Sequence, residues 1–258
     1  MSVRLISRLD VKMSHLIKGV QMEGWRKVGS PTERAILYYQ QGADEILYID
    51  VVASLYERNN LHDVLKEVAE HIFIPITVGG GIADLAAAKS LMSIGADKLS
   101  INTAATKNPR LLRELSDVYG SQAIVLNLEC KSLPSGGWTV MTDNGRSHTG
   151  RDAIKWAVEA VTHGVGEILV SSIDRDGVMM GMDLDLISAI SREVEVPVIA
   201  SGGCASSKHV KEAVEAGSDA IAVGAALHSG RLSLQQLRID LNNQNFGLRP
   251  IPNVYNYD

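Results

Sequence analysis

Two carboxylates stand at matching places in two matching stretches: Asp10 in LDVK (residues 9–12) and Glu129 in LECK (128–131), 119 residues apart. Two acids on opposite walls of one pocket suit general acid and general base work on a bound molecule. The alternative is that each caps the turn behind it or binds the lysine that follows, Lys12 or Lys131. A second chemistry is written in glycine. VGGGI (78–82) and ASGGC (200–204) lie 122 residues apart and would bring bare backbone N–H groups up to an anion. SINTAATKNP (100–109) and VGAALHSG (223–230) follow them in the same order. There Asn102-Thr103 and Gly224-Ala225 open the next helices, where the dipole favours negative charge. One Gly-Gly pair is often only a tight turn. Two in related positions predict two phosphate sites on opposite sides, and so a ligand with a phosphate at each end.

A third set is ionic. Arg4, Glu45, Lys98 and Glu167 fall near the starts of apolar runs one, two, four and six. If all point inward they form a ring of two cations and two anions, which on its own reads as a salt-bridge plug.

The elements that must position these residues alternate regularly. Strand candidates are 3–11, 45–50, 74–78, 98–101, 123–129, 167–171, 196–201 and 220–223, with amphipathic segments between them. Ser30-Pro31 with Glu33 makes a capping box, and Gly42 marks that helix's end. Asn108-Pro109 opens another helix that ends near Gly120. Gly95 and Gly217 close the third and seventh helices. Continuous apolar strands such as IPITV and VPVIA fit a parallel sheet covered on both faces.

Eight strand–helix units in 258 residues, repeating in halves, predict a (β/α)8 TIM barrel built from two (β/α)4 halves. The halves fall at about 1–121 and 122–245 within one domain over 1–258, with an irregular tail at 246–258. A doubly wound open sheet is the runner-up, but it has no reason to repeat in halves. In a barrel the strand ends Asp10 and Glu129 face each other across the mouth. Residues 12–29 read as a candidate lid, and 132–150 as a hairpin or loop.

Hydrophobic content of 45% supports a large core, and a net charge of −5 argues against a nucleic-acid or anionic-membrane partner. No run reaches 18 apolar residues, and the charged stretch MSVRLISRLD lacks a signal peptide's apolar core. Cys130 and Cys204 have no metal-site spacing, so neither metal nor cofactor is expected, and a cytoplasmic location is the simplest reading.

The combination of LDVK…KGV, VGGGI, ADKLSINTAA, SIDRDG (172–177) and IASGG (199–203) resembles the cyclase subunit of imidazole glycerol phosphate synthase, from about Val3 to Leu241. The resemblance implies an enzyme of histidine biosynthesis, a lyase. It takes ammonia and a bisphosphorylated formimino-carboxamide ribonucleotide and releases imidazole glycerol phosphate and aminoimidazole carboxamide ribotide. It implies Asp10 as principal acid/base and Glu129 as its partner. Lys18, Asp50, Ser171, Asp176 and Ser201 would line the pocket. Gly81, Asn102 and Thr103 would hold one phosphate, and Gly203, Gly224 and Ala225 the other. Arg4, Glu45, Lys98 and Glu167 would gate ammonia delivered by a glutaminase (glutamine amidotransferase) subunit, with Asp97 on the docking face.

Three positions depart from that pattern: Glu129 stands where the family has aspartate, Cys204 where it has alanine and Ala225 where it has serine. A paralogue that passes ammonia from a glutaminase to a sugar amidotransferase in surface-polysaccharide synthesis is the alternative function.

Overall fold

Strand parity decides this architecture. In β1 (Arg4–Lys12), Leu5, Leu9 and Val11 pack outward into a core shared with the helices, while Arg4, Ile6, Arg8 and Asp10 share the opposite face. The same split recurs around the ring. Ile6, Leu47, Val125, Leu169, Ile199, Ala220 and Ala222 belong to a second apolar cluster. It separates a charged layer below from a polar layer above. The computed structural model describes residues 2–53 and 61–250.

Eight parallel strands close the ring. They are β1, β4 (Glu45–Asp50), β5 (Ile76–Gly79), β6 (Lys98–Ile101), β7 (Ile124–Ser132), β10 (Glu167–Ser172), β11 (Val198–Ser201) and β12 (Ala220–Val223). They pair in that order and β12 returns to β1, so the chain forms the expected (β/α)8 barrel. β1 and β7 are diametrically opposed.

The register repeats as the sequence does. Ile6 pairs with Glu45 and Val125 with Glu167; Ile46 with Ile76 and Ile168 with Val198. Thr77 pairs with Lys98 and Ile199 with Ala220; Leu99 with Ile124 and Ile221 with Leu5. Every partner is offset by 119 or 122 residues from its equivalent, the last pair closing the ring back onto β1. Asp97 and Asp219 also match. Each carboxylate accepts the backbone N–H that begins the preceding strand, at Ile76 (2.8 Å) and Val198 (2.9 Å).

Helix signals are honoured. Ser30 Oγ accepts from Glu33 N–H at 3.3 Å to start Pro31–Gln40, and Gly42, Gly95, Gly120 and Gly217 all take positive φ behind their helices. Of two long segments, one differs from the loop expected of it, and the other is the hairpin expected. Residues 12–29 form an antiparallel hairpin, β2 (His15–Val20) and β3 (Glu23–Gly29), that continues from β1. The excursion after β7 is a second hairpin, β8 (Trp138–Thr142) and β9 (Ser147–Asp152). The tail is partly tied down, because Val3 bridges Leu248; residues 251–258 lie outside the described residues.

Candidate active site

At the floor of the barrel, Arg4 bonds Glu45 (3.0 Å) and Glu167, and Lys98 bonds both glutamates at 2.9 Å. Thr77 Oγ1 donates to the other oxygen of Glu45. The four residues singled out in the sequence therefore close an alternating ring. Its carboxylates are buried and its cations half-buried. Asp97 is exposed near the same end.

At the mouth, the two acids differ in what holds them. Both oxygens of Asp10 are taken by cations: Arg8 Nε at 2.9 Å on one and Lys18 Nζ at 2.6 Å on the other. Burial alone would raise its pKa. The two cations outweigh burial and hold the carboxyl well below the usual range. Lys18 also bonds both oxygens of Asp176, at 2.8 and 3.1 Å.

Glu129 forms no ion pair among the described residues. Gly145 N–H donates to one oxygen at 2.9 Å and Asn127 Nδ2 approaches the other at 3.4 Å. Burial dominates and pushes its pKa up to about 7. Neither acid binds the lysine that follows it. Lys131 pairs with Asp174 instead, so that alternative does not hold.

The glycine turns are forced by crowding. A Cβ on Gly80 (φ +99) would sit 2.3 Å from Asp50 O, and one on Gly203 (φ +92) 2.1 Å from Gly181 O. Asn102 and Gly224 adopt matching backbone angles, φ/ψ of −128/−84 and −126/−80. The helices they open, Thr103–Lys107 and Ala225–His228, have only 5 and 4 residues. The dipole contribution expected from sequence is correspondingly reduced, leaving bare N–H groups as the main anion donors.

The two cradles are unequal. Gly81, Asn102, Thr103, Asp50 and Glu129 border a cavity of about 500 Å³. Gly203, Gly224 and Ala225, with Arg8, Lys18, Asp176 and Ser201, enclose about 10 Å³, room for no more than a water, while Lys18 and Ala225 also border a cavity of about 560 Å³ beside His228 and Ser229. Asp50 also caps its own turn, accepting from Val52 N–H at 3.1 Å.

Arg8 was not anticipated. Its Nη1 donates to Ser171 Oγ (2.9 Å) and Ser201 Oγ (3.1 Å), so it spans the mouth from β1 to β10 and β11. A signal was present: Arg8 shares strand parity with Arg4 and Asp10, on the face that turns inward. Behind it, His228 Nε2–H donates to the Arg8 carbonyl (3.1 Å), and its Nδ1 accepts from the Tyr38 hydroxyl (2.8 Å). Burial, with help from Lys18, pushes His228 down to about 4, which keeps this ring neutral.

The sequence matches known proteins. The family model described as histidine biosynthesis protein matches residues 4–233. A Legionella pneumophila protein named imidazole glycerol phosphate synthase subunit HisF is 55% identical over 202 residues, covering 78% of this chain and 95% of that protein. A Nocardia farcinica protein of the same name is 42% identical over 254 residues, covering 96% and 99%. With its paired acids, twin glycine cradles and repeated half-barrel, this chain belongs to the histidine biosynthesis protein family.

Proposed function

We propose that this chain is the cyclase subunit of an imidazole glycerol phosphate synthase. It uses ammonia from a glutaminase partner to convert a bisphosphorylated formimino-aminoimidazole-carboxamide ribonucleotide into imidazole glycerol phosphate and aminoimidazole carboxamide ribotide. The reading rests on one observation above all. Two acids whose pKa values are pushed in opposite directions stand on diametrically opposed strands, between two glycine cradles.

The chemistry follows from those shifts. Ammonia that forms the new C–N bonds must lose protons, the substrate oxygen it displaces leaves as water, and the departing aminoimidazole nitrogen must gain a proton. Asp10, ionised between Arg8 and Lys18, is the acceptor. Glu129, raised to about 7 and so partly protonated at neutral pH, is the donor. The longer side chain at position 129 is steadied by Gly145 N–H, which fixes the carboxyl despite its extra methylene. The first cradle, with Gly81, Asn102 and Thr103, takes one phosphate directly. Occupation of the second, with Gly203, Gly224 and Ala225, requires Lys18 and Arg8 to turn from their carboxylates toward the incoming anion. Ser171 and Ser201 hold Arg8, and Asp176 holds Lys18, until that exchange.

Ammonia enters from below through the ring of Arg4, Glu45, Lys98 and Glu167, and the glutaminase docks on that face beside Asp97. The test is a steady-state assay of the purified chain with the bisphosphorylated ribonucleotide and excess ammonium salt. Formation of imidazole glycerol phosphate supports the reading. Binding without turnover contradicts the acid/base roles.

A further inference from the structure

Three consecutive residues at the tip of the second hairpin take left-handed backbone: Asp143, Asn144 and Gly145, at φ 54, 58 and 77. Asp, Asn and Gly are the residues that accept it most readily. This conformation turns the tip down onto the mouth. Asp143 N–H donates to Thr103 Oγ1 (3.0 Å), Gly145 N–H to Glu129 (2.9 Å), and Asn102 Nδ2 to Met141 O (3.1 Å). The tip is thus clamped between the first cradle and one of the two acids.

The Asn144 side chain stands apart from this clamp. It is 7% exposed, and neither Nδ2 nor Oδ1 has a hydrogen-bond partner among the described residues. Buried amides are rarely left unpaired at both ends without a reason. Ser7, Ser100, Ser218 and Trp156 each leave a single buried atom unpaired; Asn144 leaves a donor and an acceptor side by side. It also forms part of the wall of two cavities. One is the first-half cavity of about 500 Å³; the other, of about 600 Å³, lies between the two hairpins against Met22, Trp25, Met141 and His148.

We propose that Asn144 recognises substrate, its amide pairing edge to edge with a planar ligand group that offers one donor and one acceptor, the pattern of a primary carboxamide. This rests on the function proposed above, in which the ligand carries such a group beside the heterocycle. Its place next to Glu129 puts that heterocycle against the proton donor. A carboxylate ligand would leave the Asn144 acceptor facing negative charge, so the residue selects amide over acid.

The experiment titrates the full chain calorimetrically with aminoimidazole carboxamide ribotide and with the same ribotide lacking its carboxamide. It compares wild type with Asn144→Gly, which the left-handed backbone accepts, and with Asn144→Asp, which keeps the shape but loses the donor. Wild type should prefer the carboxamide ligand about tenfold, as two neutral hydrogen bonds would give. Both variants should lose that preference, and Asn144→Gly should bind the carboxamide-free ribotide as wild type does and unfold no lower than wild type. A preference that survives Asn144→Gly, or none in wild type, overturns the proposal. Wild type that binds inorganic phosphate but neither ribotide overturns the functional reading and this proposal with it, a pattern distinct from loss of the preference alone.

Discussion

The two half-barrels share register, glycine geometry and strand-start aspartates, yet their mouths differ. The first-half cradle opens into about 500 Å³, whereas the second encloses about 10 Å³, with Ala225 and Lys18 also bordering a cavity of about 560 Å³. One pair of repeat-related positions differs in charge. Arg8 and Asn127 are 119 residues apart, and each donates to the acid two residues on, Asp10 at 2.9 Å and Glu129 at 3.4 Å. A cationic donor holds its acid ionised and fills the pocket above it. A neutral donor leaves its acid under the control of burial, and the space stays open. The floor follows the same logic. Both its cations, Arg4 and Lys98, come from the first half, and their counterparts are Ala123 and Ala220. On a shared barrel register, the two halves carry different inward-facing side chains at both the mouth and the floor.

The strongest way to break this asymmetry is to silence its ionised acid. Asp10→Asn should lower ammonium-dependent turnover by about a thousandfold while leaving ligand binding largely intact. Unchanged turnover would remove Asp10 from the proton-accepting role.

Stability gives the next effect. Glu129 is raised from 4.5 to about 7 in the folded chain. Its contribution is therefore complete below the unfolded value and is lost as pH rises through about 7, a swing of roughly 3 kcal/mol. Glu129→Gln should accordingly raise denaturant resistance relative to wild type at pH 8 and not at pH 4. A gain of equal size at both pH values would mean that packing, not ionisation, accounts for it.

Arg8→Lys sharpens the comparison. It keeps a charge but cannot hold Asp10, Ser171 and Ser201 in one planar fork. Turnover should fall about tenfold, and the acidic limb of its pH profile should move upward as Asp10 becomes less acidic. A fall without a shift of the limb would limit Arg8 to packing. The smallest effect belongs to the floor. Lys98→Ala should weaken glutamine-driven turnover severalfold in the presence of the glutaminase and spare free ammonium. Equal loss with both nitrogen sources would reduce the ring to a structural plug.

Most of the backbone was legible in the sequence. Strands such as β5 and β11 are nearly continuous apolar runs because both their faces are covered, and Gly42, Gly95 and Gly217 punctuate the chain where positive φ is needed. The floor ring was also legible, since four charges at strand starts have little alternative to one another. The first hairpin was not. β3 is largely exposed, so it carries no apolar alternation to announce it. Arg8 escaped notice because a buried arginine is defined by partners on distant strands, Ser171 and Ser201, which no local pattern reveals. Asn144 escaped for a related reason: its chemistry is a missing partner, visible only once neighbouring atoms are in place.

The most direct test is a carboxyl ¹³C NMR titration of the intact chain, with Glu129→Gln to assign the signal. The account predicts one carboxyl titrating near pH 7, lost in Glu129→Gln, while Asp10 stays ionised throughout the range in which the barrel is folded. No carboxyl titrating between about pH 6 and 8, or one that persists in Glu129→Gln, would contradict the claim that Arg8 and Asn127 set the two acids apart.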